Sequence, residues 1–85
     1  MIWRLQIAKR AQKEIKRIPA KDQQRITAAF AEMRENPFQG DIVRLQNQPT
    51  AWRRRVGNYR IFFDIYIEQR LVDVVEVTRR TLTTY

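Results

Sequence analysis

Two residues, Gly57 and Asn58, separate two runs that both alternate along the chain, residues 52–56 and residues 59–67. A two-residue connection of that composition joins antiparallel strands. It also leaves the register no freedom. Val56 faces Tyr59, Arg55 faces Arg60, Arg54 faces Ile61, Arg53 faces Phe62 and Trp52 faces Phe63. Directly opposed residues share a face of a sheet. One face therefore collects Trp52, Val56, Tyr59, Ile61, Phe63, Ile65 and Ile67, the expected core, with Arg54 as its odd member. Such an arginine must snorkel to an edge or pair with a carboxylate. The other face collects Arg53, Arg55, Arg60, Phe62, Asp64 and Tyr66.

That second face is a poor choice for stability alone. Arg55 opposite Arg60 sets like charges across a ladder, which costs a few tenths of a kcal/mol or more. Three guanidiniums beside two aromatic rings suit a single-stranded polynucleotide instead. Arginine holds phosphate with two donors at once, and Phe62 and Tyr66 offer stacking surfaces worth about 1–3 kcal/mol per base. The whole chain leans the same way. It has 17 basic and 9 acidic residues in 85, a net charge of +8, and 44% of it is hydrophobic. That is too apolar for a disordered basic tail and enough for one domain with one core. A folded, arginine-rich, basic domain points to a polyanion, nucleic acid first.

Other chemistries are closed off by composition. The sequence has no Cys and no His, so it has no disulfide frame, thiol nucleophile, imidazole base or zinc site of the usual kind. No stretch approaches the roughly 20 apolar residues of a membrane span, and residues 1–7 carry Arg4 and Gln6 inside their apolar run, unlike a signal peptide. A cytoplasmic location, no membrane, no cofactor and no metal are the expectations.

The rest of the chain supplies the layer that covers the core face. Residues 2–7 alternate as a strand, with Trp3, Leu5 and Ile7 on one side. Ala8, Ala11, Ile15 and Ile18 then form a helical stripe that Pro19 ends. Ile26, Ala29, Phe30 and Met33 make a second stripe over residues 21–35, stopped at Asn36-Pro37. Strands are predicted over 41–46, 52–56, 59–67 and 71–77, and the tail carries Arg79, Arg80 and Tyr85. The loop at 68–70 allows two registers for the last strand, so either Arg79 or Arg80 can join the arginine face. The predicted class is α+β in the order β-α-α-β-β-β-β. An antiparallel two-helix hairpin covers one face of a mostly antiparallel sheet.

This order, together with Ile15-Lys-Arg-Ile-Pro19, Asn36-Pro-Phe-Gln-Gly-Asp41, Trp52-Arg-Arg-Arg-Val-Gly-Asn-Tyr-Arg60 and Val77-Thr-Arg-Arg80, resembles the RelE/ParE toxin superfamily of toxin–antitoxin modules. The resemblance runs over nearly all of residues 1–85, as a single domain. It implies a microbial-ribonuclease-like fold and, on the favoured RelE side, an mRNA interferase. Such an enzyme enters the ribosomal A site and cuts mRNA by 2′-OH attack on the adjacent phosphate, with basic side chains steadying the transition state. By position, Arg53, Arg55, Arg60, Arg80 and Tyr85 match its catalytic residues. Arg54, Phe62, Tyr66 and Arg79 stand as RNA-binding candidates. Arginine stays protonated and is a poor base, so proton removal is left to Asp64 or to solvent. A cognate antitoxin is the implied partner. The ParE side of the superfamily implies DNA gyrase poisoned by binding, and a catalytically weak RNA-binding relative is the third reading.

Overall fold

The structure is a computed structural model that describes residues 2–79. Its elements are β1 (Arg4–Ile7), α1 (Lys9–Lys16), α2 (Ala20–Glu35), β2 (Ile42–Arg44), β3 (Trp52–Val56), β4 (Tyr59–Tyr66) and β5 (Leu71–Arg79). The strands form one sheet in the order β1-β5-β4-β3-β2. β1 lies parallel to β5, and the other three pairings are antiparallel. The α+β class and the order of elements are as the sequence predicts.

Both helical stripes lie on one face of the sheet. Ala11 and Ile18, then Ile26, Ala29 and Met33, bury against Tyr59, Ile61, Phe63, Val72, Val74 and Val77. Each large side chain so enclosed contributes about 1.5–3 kcal/mol. Far from the hairpin turn, this layer closes with Phe38 packed edge to face against both Trp3 and Trp52, its centroid 6.0 Å from each. The guanidiniums of Arg70 and Arg44 lie over Trp3 and Trp52. Among the described residues no helix is long and apolar enough to cross a membrane.

The hairpin has the register that its turn demands, from Val56↔Tyr59 to Trp52↔Phe63. Gly57 carries φ of +57° and Asn58 is not left-handed. A positive φ at only the first central residue is the type II′ pattern, which matches the twist of paired strands.

The last strand settles the ambiguity at 68–70 with a β-bulge. Tyr66 pairs with Leu71 and Phe63 with Val74, but Phe62 pairs with Glu76, so Val75 is the extra residue. Val74 and Val77 are both buried although they are three residues apart. A regular strand would turn one of them outward. The bulge brings both inward, sets Thr78 opposite Arg60 and Arg79 opposite Tyr59, and lets β5 run to Arg79 rather than ending at residue 77.

Two other boundaries move. β2 stops at Arg44 rather than 46, because Leu45 N–H turns to the carbonyl of Ala51 (2.7 Å) and Asn47 takes a left-handed φ of 58°. Ile67, expected in the core, lies past the end of β4 and is exposed.

Arg54 is the buried cation of the core face, 7% exposed. Its guanidinium pairs with Glu32 of α2 and donates to the carbonyl of Gln39 at 3.2 Å. Gly40 makes room for it. A Cβ at Gly40 would lie 2.8 Å from Arg54 Cζ, and its φ of +96° disfavours any side chain. Gly40→Ala should therefore cost about 1–3 kcal/mol, read as a lower denaturation midpoint.

Tyr59 is also buried, and its hydroxyl donates to Asp22 Oδ2 at 2.9 Å. Burial first, then the bond to the Asp22 carboxylate, hold the phenol above its ordinary pKa of 10.0. A raised folded pKa gives stability that is complete below the unfolded value and fades as pH rises past it. The stability advantage of wild type over Tyr59→Phe should hold up to about pH 10 and shrink above it. Paired melts across that range measure it.

Candidate nucleic-acid interface

Strand alternation puts Arg53, Arg55, Arg60, Phe62, Asp64 and Tyr66 together on the face turned away from the helices. Their surroundings divide them. Arg55 is tied to Asp41 twice, by Nε to Oδ2 at 3.0 Å and by its backbone N–H to the Asp41 carbonyl at 2.9 Å. Arg53 and Arg60 are different. Neither has a carboxylate within salt-bridge distance among the described residues. The Nε of each is enclosed by protein and has no hydrogen-bond partner. The Nε of Arg54 on the opposite face is in the same state, so what sets Arg53 and Arg60 apart is a guanidinium with no carboxylate partner among the described residues.

Both arginines border a cleft of about 390 Å³. Arg53, Arg60 and Phe62 make its floor. Its wall is Arg44, Leu45, Gln46 and Gln48, from the end of β2 and the loop that follows. The volume lies at the small end of ligand clefts. It joins fixed positive charge to an aromatic ring, the combination that grips phosphate and stacks a base.

Other sequence-predicted site residues stand elsewhere. Arg54 is turned to the helix side and held by Glu32 and Gln39, so it serves the fold and has no place on the basic face. Arg79 shares Tyr59's face through the bulge and borders a different cavity, of about 330 Å³, beside Glu14, Arg17 and Ile18. The glutamate there receives the N–H of Val77 at 2.8 Å. Tyr66 is exposed on the basic face but four residues along β4 from Phe62, roughly 13 Å away at strand rise, and it does not border the cleft. Asp64 spends one oxygen on the N–H of Ala51 at 2.7 Å and does not border the cleft either. Directly opposite it lies Asp73, whose own carboxylate takes a donor from Gln6. Arg80 and Tyr85 lie outside the described residues.

Sequence reading missed the wall. Arg44 and Gln46 fall in the strand predicted over 41–46 and Gln48 just beyond it, with no pattern that sets them beside the arginines. The available signal was the pairing of residue 43 with Arg53, which forces whatever follows β2 to pass beside the arginines.

The overall fold agrees with that of known proteins. The archaeal RelE in a RelE–RelB complex from Pyrococcus horikoshii superposes with a TM-score of 0.83 at 18% identity, covering 98% of this chain and 100% of that one. The isolated RelE toxin of E. coli gives 0.80 at 19% identity, covering 95% and 87%. Among curated sequences, a protein of Methanocaldococcus jannaschii bearing the RelE1 toxin designation is 24% identical over 83 residues, 94% of this chain and 92% of that one. The family model described as the ParE toxin of the type II toxin–antitoxin system parDE matches residues 5–81. With that match over nearly its whole length, this chain belongs to the ParE family of type II toxins, within the RelE/ParE superfamily.

Proposed function

We propose that this toxin is a ribosome-dependent mRNA endoribonuclease of the cytoplasm, using arginine side chains rather than a metal ion or cofactor to steady charge. The observation that carries the reading is the pair Arg53 and Arg60, two guanidiniums without carboxylate partners among the described residues, on a cleft floored by Phe62. In the reaction the 2′-oxygen attacks the adjacent phosphorus and the bond to the 5′-oxygen breaks. The products are a 2′,3′-cyclic phosphate and a 5′-hydroxyl. Negative charge grows on the phosphorane oxygens, where preorganised donors act most strongly. Arg53 and Arg60 supply those donors. Arg55, already paired with Asp41, adds a weaker field at the rim. Arg80 and Tyr85 belong to this proposal through the family pattern alone.

Arginine neither gives up nor takes a proton at neutral pH. With Asp64 committed to the loop, the 2′-hydroxyl proton goes to solvent and the departing 5′-oxygen takes one from water. The ribosomal A site, orienting the mRNA for in-line attack, supplies the rest of the rate. A cognate antitoxin partners the chain in this reading, since a structural neighbour was solved as a RelE–RelB complex. To cover this face it should be acidic where it touches.

The ParE family match favours one second reading, a poison of DNA gyrase that acts by binding. Tightly controlled expression separates the two. New mRNA 5′ ends inside translated codons are expected, and gyrase-linked DNA breaks with intact mRNA would replace the first reading by the second. Arg60→Ala should lower cleavage by about 100-fold or more. In binding to a short single-stranded RNA, Arg53→Ala and Arg60→Ala should each reduce the log–log salt slope by about 0.7, measured by titration at several salt concentrations.

A further inference from the structure

We infer that the loop between β2 and β3 reads one base of the RNA, that Gln46 and Gln48 do the reading, and that Asp64 is the positioning residue that holds the loop in place. The inference rests on the nucleic-acid reading above and assigns its selectivity.

The loop faces the floor of the cleft across a space of about 390 Å³. A base stacked on Phe62, with its phosphate on Arg53 and Arg60, would turn one edge toward the wall. Gln46 and Gln48 line that wall, and each brings a carboxamide to it. A carboxamide carries one acceptor and a donor pair. That set matches adenine, whose N6 donates and N7 accepts on the same edge. In single-stranded RNA this edge is free for contact. Selective reading also requires a wall that does not yield, and this one is fastened at its base. Leu45 N–H donates to the Ala51 carbonyl, and Ala51 N–H donates to Asp64 Oδ1, both at 2.7 Å. Thr50 beside them is buried. Asp64 lies two residues beyond Phe62 on β4, so one strand sets both the stacking ring and the anchor of the wall.

Equilibrium binding of labelled hexamers of A and of C to the purified full chain tests this directly. Wild type should prefer oligo-A by about tenfold. Gln46→Ala with Gln48→Ala should weaken oligo-A about tenfold more than oligo-C. Asp64→Ala should lose the preference, while Asp64→Asn, which keeps a carbonyl oxygen for Ala51 N–H, should retain it. In cells, Asp64→Asn should still yield mRNA cuts. If Asp64→Asn abolishes cutting as fully as Asp64→Ala, Asp64 is a base and the positioning role is wrong. Equal binding of all sequences with full salt dependence would overturn base reading and leave the phosphate-gripping function standing. No RNA binding by wild type would overturn both.

Discussion

The tight turn at Gly57 is the constraint on which the functional surface depends. It fixes strand parity, and parity divides three consecutive arginines, Arg54 to the helix side and Arg53 and Arg55 to the other. A shift of one residue would exchange the two sets. With β4 kept in place, it would bury Arg53 and Arg55 under the helices and turn Arg54 outward. Apolar burial on one face thus does more than stabilise the sheet. It holds charge on the opposite face in one arrangement, because the like-charged neighbours Arg55 and Arg60 cannot separate without dismantling the core.

Arg54 shows what this parity requires elsewhere. A guanidinium on a core face needs compensation, and a buried charge that loses its partner is destabilising by several kcal/mol. The end of α2 and the connection that follows it supply the compensation: Glu32, the Gln39 carbonyl, and the open backbone of Gly40. The glutamate is largely solvated, which limits the strength of the pair. The site ties the α2–β2 connection to the hairpin and serves architecture, although its arginine sits between two that face the opposite side of the sheet.

Most of the fold was legible because its signals are local: the turn residues, the helical stripes ending at Pro19 and Pro37, and the alternation of β4. The bulge was not. Its trace in the sequence is the spacing of valines, 72 and 74 and then 77, a step of three in a run otherwise stepping by two. That step moved Arg79 away from the basic face. The arginine pair of the cleft followed from register alone, but the Gln-bearing wall did not. A loop reveals its neighbours only after the strands flanking it are paired, and the Asp64 anchor links residues 13 apart through a backbone N–H that no side-chain pattern records.

The guanidiniums of Arg53 and Arg60, without carboxylate partners among the described residues, carry the functional argument further than net charge does. A charge of +8 is compatible with solubility alone. Solubility does not require two guanidiniums without carboxylate partners, among the described residues, to converge on one cleft. Leucine or methionine at Arg60 would relieve the repulsion with Arg55 across the strands. An anion seated in the cleft would offset the same repulsion. Phosphate oxygens fit the fork of a guanidinium. In the proposed function, the aromatic floor beside them favours a phosphate that brings a base with it, a polynucleotide over a simple anion.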